Sequence, residues 1–539
     1  MATGTVAFFC VSKVIEEIEM RWYDGYRVNS DEERAMLIIK SNKAQYEYDI
    51  HSLIKAFYPE EEVRVLTPES VIKDRALLER PVQMRLTFEE KKVVFRIGQE
   101  DEPEEAVKAE KQPEEQKKER THEYIWHVKQ EELADHKNVF KRFLYTSLQE
   151  ETGRSLPWGN LTGIRPTKIP MAMLEEGKSE EEILSFIETQ HLVSPEKAAL
   201  SLEIAERERR ILQPLHYENG YSLYIGIPFC PTTCLYCSFT SFPISAWKAR
   251  VADYLSALEK EIDYIAEAYR HKILDTVYIG GGTPTSLAAE ELDRLLTKLK
   301  ASFDFTTVQE FTVEAGRADS ITEDKLRVLY RHGVSRISVN PQTMKQETLR
   351  FIGRQHTVEQ VEYAFDLARN IGFDNINMDI ILGLPGETGE DVRKTIEAIR
   401  AMEPDSLTVH SLAIKRASRL AEWITENGLS ALCNTDETMR IAECGAREMG
   451  MAPYYLYRQK NMSGNFENVG YAKEGKYGIY NILIMEEKQT IVALGAGTVT
   501  KRVYGDGLIR RCDTVKDVEL YIERIEEMVE RKRELLSDR

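Results

Sequence analysis

From Tyr221 onward the chain repeats one pattern: a short run rich in apolar residues, then a longer stretch in which polar and apolar positions recur at helical spacing. The short runs are Tyr221–Ile227, Thr276–Ile279, Glu310–Val313, Arg336–Val339, Asn375–Ile381 and Ser406–His410. These read as strands, and the stretches between them as amphipathic helices with start signals such as the capping box Thr357-Val-Glu-Gln360. Six such strand–helix units predict parallel strands joined by right-handed crossovers, in either a partial barrel or an open sheet. The repeat ends near residue 414. In parallel folds of this kind the reacting groups gather at the C-terminal ends of the strands.

The rest of the chain follows other periods. In residues 1–98 Tyr46–Ile50 alternates, Ser52–Tyr58 suits a short helix and Val63–Leu66 resumes a strand. Val82–Phe88 and Val93–Ile97 form a hairpin about Glu89-Glu-Lys-Lys92, so this segment reads as a small α+β domain. Gln99–Thr121 holds nine acidic and five basic residues, two prolines and no aromatic, the composition of a flexible linker. Residues 122–217 turn helical, with a capping box at Ser179–Glu182 and an N-cap at Ser194-Pro195. Within them Trp158–Lys168 is turn-rich and carries Arg165 and Lys168, to which the residues assign no chemistry. The expected plan is therefore 1–98, 99–121, 122–217, a barrel over 218–414 and an α+β extension over 415–539.

One loop carries the chemistry. Cys230-Pro-Thr-Thr-Cys234-Leu-Tyr-Cys237 follows the first strand and puts three thiols within eight residues. The spacing would also suit a buried helical stripe, but Pro228 and Pro231 argue for a loop. Structural zinc takes four protein ligands, usually as two pairs, and Cys10, Cys433, Cys444 and Cys512 form no second pair. A four-iron cube normally takes four thiolates, so three leave one iron open to a small chelating ligand. After the second strand comes Gly280-Gly-Gly-Thr-Pro-Thr285, a glycine-rich turn that a ligand can approach closely. Glu314 and Arg317 end the third strand, Asn340 and Gln342 the fourth, and Asp379 lies in the fifth. Polar groups at one end of successive strands suggest a shared ligand.

Composition narrows the setting. The 539 residues are 42% apolar, enough for two to four domains, and no stretch is long enough to cross a bilayer. Thr5–Val11 lacks a basic flank and makes a poor signal peptide, so a cytoplasmic protein is expected. Seven cysteines, three of them clustered, suit a reducing compartment and a metal site. The net charge of −18 opposes non-specific binding to nucleic acid or anionic membrane.

Residues 218 to about 500 resemble the oxygen-independent coproporphyrinogen III oxidase (coproporphyrinogen dehydrogenase) family of the radical S-adenosylmethionine (SAM) superfamily. Leu161–Lys168 and Tyr454–Asn461 are similar to its HemZ-type branch. The resemblance implies a radical SAM partial (β/α)6 barrel. It further implies that Cys230, Cys234 and Cys237 bind a [4Fe-4S] cluster, and that Tyr224, Gly281, Glu314, Gln342, Arg354, Asp379, Ala413 and Val499 line a SAM site. Tyr236, Gly282 and Thr283 would lie near a second SAM. The implied reaction is oxidative decarboxylation of coproporphyrinogen III to protoporphyrinogen IX, fed by a low-potential donor of flavodoxin or ferredoxin type. Two departures stand out. Gly226 replaces a histidine of the family's oxidases, and Phe239 replaces their fourth cysteine. The phenylalanine also occurs in related haem chaperones, so a haem-binding chaperone or a radical enzyme on another substrate stays open. A tetrapyrrole with four carboxylates needs local cations, for which Lys415, Arg416, Arg419, Arg458 and Lys460 are the candidates.

Overall fold

The computed structural model describes residues 36–70, 77, 80–98, 121–163, 165–237, 241–414, 418–428, 432, 434–459, 462–505 and 507–537. The expected linker 99–121 lies outside these residues apart from Thr121, as do Thr5–Val11, Cys10, Phe239, Lys415, Arg416, Cys433 and Lys460. The described residues form two compact units, one of 36–163 with 173–200 and one of 165–172 with 201–537.

The smaller unit is built on a five-stranded sheet of β1 (Met36–Ser41), β2 (Glu62–Leu66), β3 (Met84–Phe88), β4 (Lys92–Ile97) and β5 (His122–His127), in the order β2-β1-β3-β4-β5. The β3–β4 hairpin and β2 agree with the sequence reading. Tyr46–Ile50 does not form a strand: Glu47–Phe57 is one helix, because Tyr46, Ile50, Leu53, Ile54 and Phe57 recur at helical spacing and all are buried in a core with Phe140 and Leu144. A second difference concerns the domain plan. His122–His127, assigned above to the helical segment, is the strand β5, and it pairs antiparallel with β4 in the register Ile97↔His122. The two sides of the expected linker thus belong to one sheet, so the division at 99–121 does not separate two compact units. Trp126 explains part of this placement, since it is the one residue of β5 buried in that core.

In the larger unit all six expected strands form: β6 (Gly220–Ile227), β9 (Ile273–Gly281), β10 (Glu310–Gly316), β11 (Arg336–Val339), β12 (Ile376–Leu382) and β13 (Ser406–Ser411). Among the described residues the strands between β6 and β9 are the two-residue β7 (Phe229–Cys230) and β8 (Phe242–Pro243). The six pair in parallel in the order β13-β12-β11-β10-β9-β6, with a helix in each connection and no closing pair between β13 and β6, which is a partial (β/α)6 barrel. Nearly every residue of these strands is buried, as expected for parallel strands covered on both faces. The capping boxes at Ser179 and Thr357 form as the sequence predicts.

The C-terminal extension widens this sheet on both sides. β14 (Ala452–Tyr457) and β15 (Asn468–Ala472) add antiparallel beside β13, while β16 (Thr490–Leu494) runs parallel beside β6, followed by β17 (Val499–Val503) and β18 (Ile509–Asp513). A buried network fixes the turn after β16. Glu261 accepts from Gly495 N–H (2.8 Å) and the Tyr521 hydroxyl (2.5 Å) and pairs with Lys532 (2.5 Å), and both members of that ion pair are fully buried. Arg165, in the motif that the sequence left without chemistry, bonds to the Met485 carbonyl and to Glu487 (2.7 Å), which also meets Lys501 and Arg511. Its part is an anchor within this unit.

Candidate functional site

The cysteine loop leaves β6 at Pro228 and is tied down residue by residue. Gly282 N–H donates to Ile227 O and Thr283 N–H to Phe229 O, both at 2.7 Å, so the glycine turn after β9 lies directly on the entry to the loop. A Cβ at Gly282 would sit 2.4 Å from the Phe229 carbonyl, and Gly281 has φ of +110°, which is why two glycines occupy these positions. Further along, Thr232 Oγ1 donates to Gly353 O (3.1 Å), Leu235 N–H to Ile352 O (2.9 Å) and Leu420 N–H to Leu235 O (3.0 Å). Three arginines complete the clamp. Arg317 donates to Thr232, Arg419 to Thr233 O (3.0 Å) and Arg354 to the Tyr236 hydroxyl (3.3 Å).

None of the three cysteines is in a disulfide; Cys230 and Cys234 are buried and Cys237 is partly exposed. Burial pushes the Cys230 thiol up to about 12; a hydrogen bond with Thr283 Oγ1 (3.5 Å) works against this, and the neighbouring Cys237 and Cys234 add to it. With burial and two neighbouring sulfurs all opposing its ionisation, Cys230 needs a cationic centre to become a thiolate. Among the described residues no three His, Cys, Asp or Glu side chains converge on a single metal ion. Three cysteines on one loop are a ligand set for a polynuclear iron–sulfur cluster, which takes one thiolate per iron.

Beside the loop, the strand ends gather buried polar groups. Glu314 accepts from the Tyr278 hydroxyl at 2.5 Å, and burial raises its carboxyl well above the ordinary range. Asp379 accepts from Asn377 Nδ2 (2.6 Å) and faces His410 Nε2 at 3.8 Å, while His410 Nδ1 lies 3.3 Å from the Tyr457 hydroxyl. Arg354 also donates to Asn340 O at 2.6 Å. Gln342 joins β12 through a bridge to Ile380, and both of its side-chain amide atoms, like both of Asn340, are buried without a hydrogen-bond partner. Four unsatisfied amide atoms at one strand end are costly unless a polar ligand meets them. Tyr224 stacks with Tyr480 (6.0 Å between ring centroids) and Tyr278 (6.2 Å).

The remaining expected residues fall as follows. Ala413 is buried and bridges to Met462, and Val499 opens β17 next to Thr498, whose methyl group would lie 2.5 Å from a Cβ at Gly226. Of the expected substrate cations, Arg458 is buried and donates to Asn465 Oδ1 (2.7 Å), with burial lowering it to about 10. Arg419 is occupied by the cysteine loop, and Arg416 and Lys460 lie outside the described residues. Sequence reasoning missed Tyr278, His410 and Tyr480. Tyr278 and His410 share inward strand positions with Gly280 and Thr408 and are recoverable from the two-residue period, whereas Tyr480 comes from outside the repeat.

The chain is also similar to known proteins. Residues 224–399 match the profile of the Radical SAM superfamily. The chain is 42% identical over 401 residues to the oxygen-independent coproporphyrinogen-III oxidase-like protein HemZ of Bacillus subtilis, an alignment spanning 74% of this chain and 80% of that one. It is 38% identical over 198 residues to the heme chaperone HemW of the same organism, and 32% identical over 217 residues to the oxygen-independent coproporphyrinogen III oxidase of Escherichia coli. These two alignments span about half of each relative, 51% and 47%. Among solved structures, the Escherichia coli enzyme HemN aligns over 62% of this chain and 73% of its own with 22% identity and a TM-score of 0.48. Among the described residues no helix is long and apolar enough to cross a membrane.

Proposed function

The chain belongs to the oxygen-independent coproporphyrinogen-III oxidase-like family of radical SAM proteins, and from that premise we propose that it converts two propionates of coproporphyrinogen III to the vinyls of protoporphyrinogen IX without oxygen. The cofactors of the family are a [4Fe-4S] cluster and SAM. In this reading Cys230, Cys234 and Cys237 hold the cluster. Tyr224, Gly281, Glu314, Gln342, Arg354, Asp379, Ala413 and Val499 line the SAM site, and Tyr236, Gly282 and Thr283 face a second SAM. When bound, these groups supply the low-potential electron and the radical chemistry that start the oxidation of each propionate.

The work of the chain itself is to bind, orient and exclude water. Gln342 and Asn340 each offer an amide NH2 as donor and an amide oxygen as acceptor to ribose or amino-acid groups. Glu314 and Asp379 offer carboxylates to a cationic ligand, and the Tyr224 ring offers an apolar face. Arg354 fixes the Tyr236 hydroxyl beside the last two cysteines. The observation that carries the proposal is that Arg354 ties Asn340, one of the two residues with unpartnered amide atoms after β11, to Tyr236 in the cysteine loop. A tetrapyrrole substrate would find its cations in Arg416, Arg458 and Lys460, and a flavodoxin- or ferredoxin-type protein would supply the electron.

Anaerobic incubation of reconstituted protein with coproporphyrinogen III, SAM and dithionite tests this reading. Vinyl product and one carbon dioxide per converted propionate are expected. A second reading, a haem chaperone, draws on the 38% identity to HemW. Tight haem binding with no carboxyl loss would favour it.

A further inference from the structure

We infer that Arg317 is the positioning residue that places the Cys234 sulfur and keeps a fixed positive charge beside it. Arg317 follows directly on β10 and is 1% exposed. One edge of its guanidinium faces the cysteine loop: Nη1 donates to Thr232 O (2.8 Å) and Thr232 Oγ1 (2.9 Å) and lies 3.9 Å from Cys234 Sγ. The other edge forks onto Asp319, with Nε to Oδ1 at 3.0 Å and Nη2 to Oδ2 at 2.6 Å. Asp319 also lies 3.7 Å from His356 Nδ1.

Thr232 lies midway between Cys230 and Cys234. Fixing both its carbonyl and its hydroxyl from one rigid plane sets the spacing of the two sulfurs, and only a guanidinium has donors on two edges to do this while staying paired with a carboxylate. Arg419 and Arg354 bond to Thr233 and Tyr236 instead. Packing gives no reason for a charge here, because a buried ion pair is often no more stable than apolar residues of the same size. The sulfur contact gives one. Hydrogen bonds to cluster sulfurs are among the factors that set reduction potential, and a nearby cation favours the reduced, more negative state.

The inference rests on the placement of the cluster on Cys230, Cys234 and Cys237. The test compares wild type, Arg317→Met/Asp319→Asn and Arg317→Lys after anaerobic reconstitution with ferrous iron and sulfide. The double variant removes both charges together, so neither is left buried without its counter-charge, and what the loop loses is the pair of bonds to Thr232. Circular dichroism reads the fold, iron loss to a chelator reads the loop, and an EPR-monitored dithionite titration reads the potential. The double variant is expected to fold, to lose iron at least threefold faster, and to have a reduction equilibrium about tenfold less favourable, which for one electron is about 59 mV lower. Arg317→Lys is expected to lose iron as fast with a smaller shift in potential. A folded variant that takes up no cluster also supports the placement of the sulfur by Arg317. Wild-type iron retention and potential in both variants overturn the inference, and if the double variant does not fold, Arg317→Lys decides on the same two readouts. A wild type that takes up no iron overturns the cluster placement as well.

Discussion

The backbone N–H of Gln342 donates to the carbonyl of Asp379 over 2.9 Å from a residue whose φ is +67°. A non-glycine residue in this left-handed region is strained by about 1–3 kcal/mol, and the strain turns the Gln342 amide into the strand-end site with both polar atoms unpaired. Gln342→Gly should therefore raise the stability of the ligand-free protein by about 1 kcal/mol, since it relieves φ and removes two buried unsatisfied atoms. The same change should weaken SAM binding at least about tenfold, the loss of one to two hydrogen bonds. Urea unfolding and isothermal titration calorimetry check the two halves. A variant that is less stable and binds as well as wild type would contradict both.

Burial holds the Glu314 carboxyl well above the ordinary carboxylate range, the Tyr278 hydroxyl pulling it back and Asp379 pushing it further up. The ligand-free site thus favours the protonated acid. SAM carries positive charge at its sulfonium and ammonium groups, so binding favours the carboxylate and releases a proton. Affinity should rise with pH, by up to about tenfold per unit while the free carboxyl is protonated. Glu314→Gln should flatten this dependence. Calorimetry in two buffers of different ionisation enthalpy measures the proton released.

Glu487 illustrates the opposite sign. Burial alone would raise its carboxyl, but Lys501, Arg165 and Arg511 hold it down at about 2, against an ordinary value of 4.5. A carboxylate depressed in the folded state adds stability that is complete above the unfolded value and is lost as pH falls through the folded one. The window here is about pH 4.5 to 2, and the contribution on the order of 3 kcal/mol. Glu487→Gln should lower the melting temperature at pH 7, and the gap to wild type should narrow as the pH is lowered through this window. A gap that stays constant down to pH 3 would remove the ion cluster from the account.

The pairing of Ile97 with His122 brings the two sides of residues 99–120 to adjacent positions of one sheet. Replacing 99–120 by a four-residue Gly/Asn turn should therefore keep the β4–β5 pair. Shortening the loop lowers its closure entropy cost by on the order of 1–2 kcal/mol. The urea midpoint of the full chain should stay level or rise, and a lower midpoint would mean that the excised residues contribute to the fold.

The six barrel strands are legible because each is a short run of apolar and β-branched residues, several alternating with polar ones, set between longer helical stretches, and Arg336–Val339 has the bounds that the sequence predicts. The cysteine loop and the glycine turn were legible because their chemistry is local in the chain. What could not be read depends on contacts between distant residues. Tyr480 meets Tyr224 across the barrel although no period links them. The sequence pattern of β5 is faint because only Trp126 of its six residues is buried, so it merges with the helical segment that follows. Tyr46–Ile50 is ambiguous because five residues fit a two-residue and a 3.6-residue period about equally well. The purpose of Arg165 needed the structure for the same reason, since its partners lie at Met485 and Glu487.

The parallel pairing of β16 with β6, in the register Thr490↔Tyr221 to Leu494↔Ile225, also sets a timetable for synthesis. On a ribosome the first barrel strand emerges long before its outer neighbour, and at about 5–20 residues per second the delay is on the order of 15–50 s. Throughout that interval an apolar strand stands at the open edge of a growing parallel sheet, where a strand from another nascent chain could pair with it. Slowing translation between β13 and β16 would lengthen the exposure. Aggregation on the ribosome should therefore respond to codon usage in that stretch more than to codon usage before residue 220.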